Sequence, residues 1–440
     1  MDAPRLIPGV EDAGAPGQPS ASARYATMLA MDLPLLRRLT TGEGWGLLQS
    51  LPPYDESRAL GLQQRLRDAG FEPDLVAAAL NQARLRARAT AKFGEFAQGM
   101  VFTSDGLEQA TRLGVAAQHA QRFRAAGIHT VHDLGCGIGA DAMAMAGLDL
   151  RVRAIDADEV TAAVADVNLR HWPESSARQG LAEEFTPPAG EGARGVGAWL
   201  DPARRTPGVA DVTGRTRRLF RLEEISPSWD TVQALARDLP ATGAKLSPAF
   251  PHAALPPGAE AQWTSFDGEV VECAVWFGPL ARTPGRTAVV LREGAPPVHV
   301  TEHDGDSTAP TLGNLADVGP WLYEPDRAVL RAGLVPALTA ATDGAELDTG
   351  VGYVGSTRSV DLPWARRYAV VEAMPFNVKA LRGWLRDHGV DRLTIKKRGV
   401  SVDADLLRRQ LRLPPKGHTE AVVVLTRVRS NQVVLVVRPA

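Results

Sequence analysis

The chain has 440 residues, 44% of them hydrophobic and 23% charged, with a formal net charge of −2. That is an ordinary globular composition and more chain than one domain usually takes, at roughly 100–200 residues each. No apolar window reaches the roughly 18 residues of a membrane span, so no membrane partner is expected.

Cys136 and Cys273 are the only cysteines. They lack CxxC spacing, which argues against a disulfide framework or a zinc site; a reducing cytoplasm and no metal are expected. The first 25 residues are rich in Pro and Gly, without a basic stretch leading into an apolar core. They read as a disordered tail and not a signal peptide.

Residues 26–97 read as a helical region, with apolar stripes over 28–39, 57–69 and 74–93. Residues 104–125 read as one helix capped by Ser104 or Asp105. A β-branched and apolar run then ends in Val131-His132-Asp133-Leu134-Gly135-Cys136-Gly137-Ile138-Gly139. Helix-forming residues follow to 146, and a strand over 151–155 ends in Asp156. Further strands are expected over 177–181, 196–200 and 243–246, with a helix over 230–239. Residues 204–221 read as an Arg-rich loop or substrate lid. Strand-like runs over 262–266 and 270–277 flank Asp267-Gly268, a hairpin signal, and 286–292 adds a strand. Residues 299–361 read as linker and connecting segment. Residues 362–440 read as a small α/β unit, with strands over 367–372, 392–397, 421–428 and 432–437 and helices over 377–388 and 403–411.

Charge is unevenly spread. Residues 362–440 hold 16 Lys+Arg against 6 Asp+Glu, a net of +10, which leaves the rest near −12. A basic module on an acidic body suits a polyanionic partner, or is a solvated Arg-rich face.

The glycine segment carries the most chemistry. Gly135, Gly137 and Gly139 permit positive φ and close approach of a ligand, and Asp156 can accept from both hydroxyls of a ribose. Gly135, Gly137 and Ala140 also satisfy the nicotinamide pattern G-x-G-x-x-G/A. Asp133 before the first glycine, where an amino-acid ammonium can meet it, and Gly139 as the third favour S-adenosylmethionine (SAM). Cys136 is read as a packing residue. After the fourth strand comes Asp201-Pro202-Ala203-Arg204-Arg205, which belongs in the same crevice as Gly137 or is a strand-ending turn. Lys245 and Asn168 read as structural.

D-x-G-x-G-x-G with Asp156 resembles class I SAM-dependent methyltransferases. With Phe102 to Thr111, Asp201 to Arg205, Lys245-Leu246-Ser247-Pro248, Trp321-Leu322-Tyr323-Glu324-Pro325-Asp326 and Ile395-Lys396-Lys397-Arg398-Gly399, the chain is similar to bacterial members carrying a C-terminal THUMP-like domain. The resemblance covers most of the chain. It implies an α/β fold: a Rossmann-like class I methyltransferase sheet over 98–298, an N-terminal helical region and a small α/β THUMP-like domain over 362–440. It also implies that the sheet closes with an antiparallel hairpin.

The resemblance further implies that Phe102 and Thr103 close over SAM, although Phe102 can equally be core and Thr111 an exposed helix residue. Glu183 falls where the adenine amine is read, or is a surface carboxylate. Asp201 and Pro202 look like the start of a (D/N)PP(Y/F) motif that holds an exocyclic amine. Ala203 and Arg204 replace its second proline and aromatic; Arg204 and Arg205 can stack on a base, fork onto phosphate or be solvated surface. By analogy with THUMP domains, Lys396, Lys397, Arg398, Arg408, Arg409 and Lys416 would contact an RNA backbone. Three functions stay open: a methyltransferase acting on a nucleobase in structured RNA, a small-molecule methyltransferase with a structural C-terminal domain, and a non-catalytic SAM-binding RNA-binding protein.

Overall fold

The computed structural model describes residues 31–204, 222–413 and 419–440. The expected tail at 1–25, all of the expected lid but its first residue, Arg205 and Lys416 lie outside the described residues.

Four helices come first: α1 (Leu33–Thr40), α2 (Gly42–Ser50), α3 (Ala59–Asp68) and α4 (Pro73–Phe93). α4 begins on a proline, whose missing N–H has no helical partner in a first turn anyway. Its buried stripe of Leu75, Ala79, Gln82, Leu85, Arg86, Ala89 and Phe93 recurs every three or four residues. The two polar members of that stripe face backbone. Gln82 accepts from Phe102 N (2.9 Å) and donates to Phe102 O (2.7 Å), and Arg86 Nε donates to Met100 O (2.9 Å). The helical region is thus latched to the segment that enters the first sheet.

Where one helix was expected over 104–125 there are two, α5 (Ser104–Gln109) and α6 (Leu113–Ala125). Thr103, not Ser104 or Asp105, caps the first by accepting from Gly106 N at 3.1 Å. Lys92 Nζ donates to the carbonyls of Leu107, Glu108 and Ala110 at 2.6–2.8 Å, satisfying acceptors that a helix C-terminus leaves open. The break leaves Thr111 between the two helices, where it is buried.

The first sheet has nine strands: β1 (Thr130–Leu134), β2 (Arg151–Asp156), β3 (Ser176–Gln179), β4 (Val196–Leu200), β5 (Thr242–Leu246), β6 (Glu260–Phe266), β7 (Glu269–Trp276), β8 (Gly285–Leu291) and β9 (Val298–Thr301). Their order is β9-β8-β6-β7-β5-β4-β1-β2-β3. β1 to β5 are parallel, and β7 runs antiparallel between β5 and β6. α7 (Ala140–Ala146), α8 (Glu159–Leu169) and α9 (Trp229–Asp238) make the crossovers. All five residues of β4 are buried, the pattern of a parallel strand covered on both faces. The chain winds one way from β1 to β3 and the other way from β4, so the strand order reverses between β1 and β4. A crevice opens there, beyond the strand ends.

The second sheet corrects the expected domain division. Residues 299–361 are no linker: they supply β10 (Trp321–Pro325), β11 (Ala345–Glu346) and β12 (Val354–Ser356), with α10 (Arg327–Arg331) and α11 (Val335–Thr342). The C-terminal part adds β13 (Ala365–Pro375), α12 (Val378–Asp387), β14 (Val390–Lys397), α13 (Ala404–Leu411), β15 (Thr419–Val428) and β16 (Asn431–Pro439). The order is β11-β12-β10-β13-β16-β15-β14. Tyr323, Val329, Leu334, Leu338 and Trp364 share one buried cluster with Trp263, Val290 and Val300 of the first sheet. The two sheets are joined through a common core.

Candidate functional site

The crevice is built on the ends of β1, β2, β4 and β5. β1 ends in a loop whose Gly135, Gly137 and Gly139 have φ of +93°, +55° and +85°. Gly135 N and Cys136 N donate to Ile155 O of β2 (2.9 and 3.0 Å). A Cβ on Gly135 would stand 3.0 Å from Asp201 O, so the loop and the end of β4 are in close approach. A Cβ on Gly137 would meet nothing within 4 Å; this glycine faces open space. Cys136 is buried, and burial pushes its thiol well above the usual range, in keeping with a packing residue.

Two carboxylates flank the loop. Asp156 accepts from Gly137 N (2.9 Å) through one oxygen and from Asp158 N (3.0 Å) through the other. Burial raises its pKa against those two bonds. Asp133 is only 1% exposed, and neither of its oxygens has a hydrogen-bond partner among the described residues. Burial, then Asp141 and Asp201, push it well above the ordinary carboxylate range. A buried carboxylate without a donor is costly unless a donor arrives.

Asp201 and Lys245 face each other across the ends of β4 and β5, Nζ to Oδ2 at 2.5 Å. Lys245 also donates to Thr111 Oγ1 (3.1 Å), and Thr111 donates to Asp141 Oδ2 (2.7 Å). Asp141 Oδ1 lies 2.7 Å from His119 Nδ1, and His119 Nε2 lies 2.6 Å from Glu272 Oε1. With a carboxylate at each nitrogen, both nitrogens donate and the ring is an imidazolium. Burial opposes that charge, yet Glu272 and Asp141 push His119 up to about 9. Its ring packs 4.4 Å from that of Trp199.

The chain is 30% identical over 357 residues to an uncharacterized S-adenosylmethionine-dependent methyltransferase of Mycobacterium tuberculosis (strain H37Rv), covering 78% of this chain and 90% of the relative. The corresponding protein of strain CDC 1551 matches with the same identity and coverage. This chain belongs to the S-adenosylmethionine-dependent methyltransferases. The methyltransferase matches the THUMP domain-like family over residues 365–439 and a domain of unknown function over 32–89. A crystal structure of a provisionally assigned methyltransferase from Porphyromonas gingivalis W83 shares its fold, with a TM-score of 0.63 at 19% identity over 88% of this chain and all of that one. The expected fold class, enzyme class and SAM dependence are therefore met.

Other residues singled out in the sequence lie as follows. Phe102 is fully buried, its ring 5.8 Å from that of Phe93, so it is core and offers no open face to a ligand. Thr103 caps α5, and Gly106 of that turn packs against Ile138 of the glycine loop. Asn168 clamps the same loop, donating to Val101 O and Ile138 O and accepting from Val101 N (2.8–3.0 Å). Glu183 is exposed and accepts from Ser226 Oγ at 2.5 Å. Ser226 and Ile225 pair with the Ala203-Arg204 backbone, just past Pro202.

The basic residues of the THUMP-like part divide. Lys396 and Arg398 are half-buried and bound to Glu324 of β10 (2.6 and 3.4 Å), Arg398 over the Tyr353 ring and Lys396 near the Tyr368 ring. Their charge is spent inside the protein. Arg408 donates to Leu393 O and pairs with Asp405 (3.4 Å); Lys397 donates to Val402 O but is exposed. Arg409 is exposed, as are Lys379, Arg392 and Arg412 nearby in the chain. Sequence reasoning does not find Thr111, Asp141, His119, Lys245 and Glu272 as a group, because they come from five separate stretches of chain.

No helix among the described residues is long and apolar enough to cross a membrane, and no group of three or more His, Cys, Asp or Glu there can hold a metal ion.

Proposed function

We propose that this methyltransferase modifies a nucleobase amine in structured RNA in the cytoplasm, the glycine loop holding SAM and the THUMP-like part holding RNA. The observation that carries the RNA reading is the THUMP domain-like match over 365–439, whose first strand, β13, pairs with β10, the strand that shares a core with the sheet bearing the crevice. The exposed cations Lys379, Arg392, Lys397, Arg409 and Arg412 would meet phosphates, each such pairing releasing counter-ions.

Within that reading the crevice residues suit SAM. Asp133 is a buried carboxyl group with no donor among the described residues, and an amino-acid ammonium would supply one and favour its ionised form. Gly137 leaves room at the loop, and each oxygen of Asp156 keeps a lone pair for a ribose hydroxyl. Thr103 and Glu183 would border the adenosine. Bound there, SAM supplies an electrophilic methyl group on a sulfonium. Asp201, beside the loop, accepts an N–H of the exocyclic amine and turns its lone pair toward the crevice; the Pro202 carbonyl can take a second N–H. Arg204 and Arg205 would meet the base or its phosphate. Orientation of this kind is worth up to roughly 7–11 kcal/mol in well-aligned cases.

The test is incubation with radiolabelled SAM and total RNA from cells lacking the gene, with protein and metabolite extracts in parallel. Label in RNA, traced to one nucleoside, is the expected result. Label only in the other extracts would overturn the RNA substrate.

A further inference from the structure

The mechanism above uses Asp201 and leaves unexplained the buried chain of charges behind it. From the crevice inward the groups alternate in sign: Asp201, Lys245, Asp141, His119, Glu272, with the Thr111 hydroxyl bridging Lys245 and Asp141. They come from the residue after β4, from β5, α7, α6 and β7, and from the break between α5 and α6. Asp201, with a side chain 35% exposed, opens to the crevice; Lys245 is 17% exposed, and the groups behind it are buried.

Each link fixes the next. Asp141 and Glu272 hold His119 at both nitrogens, so the ring cannot turn. Thr111 donates its hydroxyl hydrogen bond to Asp141, so the Thr111 oxygen must present a lone pair to Lys245. Lys245 is then held from behind by Thr111 and points its ammonium at Asp201. A carboxylate at the end of β4 would otherwise lie near Asp133, Asp141 and Glu272, all acidic, with Lys92 as the other cation toward Lys245. In such company a carboxyl group tends to keep its proton. A protonated Asp201 donates a hydrogen bond where an amine N–H needs an acceptor.

We propose that Lys245 is a positioning residue for methyl transfer: it keeps Asp201 an ionised, aimed hydrogen-bond acceptor, and the Thr111–Asp141–His119–Glu272 chain holds Lys245 in place to do so. The proposal rests on the reading of Asp201 as the substrate clamp. Burial already raises the Asp201 pKa above the usual range, with Lys245 the main opposing influence. Removing Lys245 therefore moves Asp201 further up, so that it keeps its proton to a higher pH than in the wild type.

The experiment has two readouts. In the first, methyl transfer from labelled SAM to RNA of cells lacking the gene is followed against pH for the wild type, Lys245→Met, Lys245→Arg and Thr111→Val. Lys245→Met is expected to lose about tenfold in kcat at pH 7, with its acid limb raised by about one pH unit and activity recovering as pH rises. Its KM for SAM should be unchanged. Lys245→Arg should keep most of the activity, and Thr111→Val should shift the limb the same way by less. In the second, the carboxyl group of Asp201 is titrated by carbon NMR in SAM-free protein, its resonance assigned by Asp201→Asn. Its titration should move up in Lys245→Met and, less, in Thr111→Val, the latter serving if Lys245→Met does not fold. An Asp201 titration that stays put in folded variants overturns the proposal, as does an unmoved acid limb with kcat reduced. If wild-type protein labels no RNA, the substrate reading has failed, and the carboxyl titration still decides the role of Lys245.

Discussion

Lys245 in the first sheet and Lys396 in the second are placed alike and serve differently. Each is the last residue but one of a strand with a parallel neighbour, bonds a carboxylate (Asp201 at 2.5 Å, Glu324 at 2.6 Å) and has a hydroxyl beside it, Thr111 or Tyr368. The carboxylates differ. Glu324 is 15% exposed; burial would raise it, but Lys396, Tyr368 and Arg398 hold it below the usual range. It is a finished ion pair, tying β14 to β10. Asp201 is more than twice as exposed, opens to the crevice and is raised despite its lysine. A carboxylate fully satisfied within the protein does structural service; one left poised at a strand end has a lone pair for something else.

Changes on the two sides of this comparison should separate. The largest effect is expected from Asp156→Ala in the crevice: loss of two charge-assisted hydrogen bonds at roughly 1.5–3 kcal/mol each weakens SAM by about a hundredfold, read by calorimetry. Unchanged affinity would remove the ribose from Asp156. Next, Asp201→Ala should leave SAM affinity intact while methyl transfer falls roughly tenfold or more, the worth of one charged hydrogen bond; loss of SAM binding instead would make Asp201 part of the cofactor site. In the second sheet, Glu324→Gln strands two half-buried cations and should cost about 2 kcal/mol of stability in urea titration, less than a fully buried pair, with SAM affinity unmoved. If SAM affinity fell as well, the contrast between the two pairs would collapse. Reversing the charge of Arg392 and Arg409 should weaken RNA binding and reduce its salt slope by about one for each phosphate no longer neutralised.

The last expected effect concerns pH. His119 is raised to about 9, above its unfolded value near 6.5. Its contribution is therefore fully present below about pH 6.5 and is lost as pH rises through about 9. Wild-type stability should decline over that window, and the decline should flatten in His119→Gln.

The sequence made some of this legible and hid the rest for identifiable reasons. The glycine loop, Asp156 and the Asp267-Gly268 hairpin are local signals; both hairpin residues do adopt positive φ (+49° and +84°), which side chains other than Gly, Asn and Asp resist. Residues 299–361 read as a linker because β10, β11 and β12 have only five, two and three residues, too few to show a period. Lys396 and Arg398 read as surface charge because their partner, Glu324, lies 72 and 74 residues away. The chain behind Asp201 is invisible for the same reason: Thr111, His119, Asp141, Lys245 and Glu272 share no spacing, and only the fold brings them together. Thr111 is further disguised by a helix that breaks just where its pattern continues.

That break is held open from outside the sheet. Lys92, at the end of α4, caps α5, and Gln82 and Arg86 of the same helix fix the strand of chain leading into it. A fragment trimmed to begin at Met100 would retain the whole glycine loop and Asp133, Asp156 and Asp201 of the crevice, yet lose the splint that sets Thr111. The helices before the sheet thus act as scaffolding for chemistry they do not touch, and a shorter enzyme carved from this one would have to rebuild them.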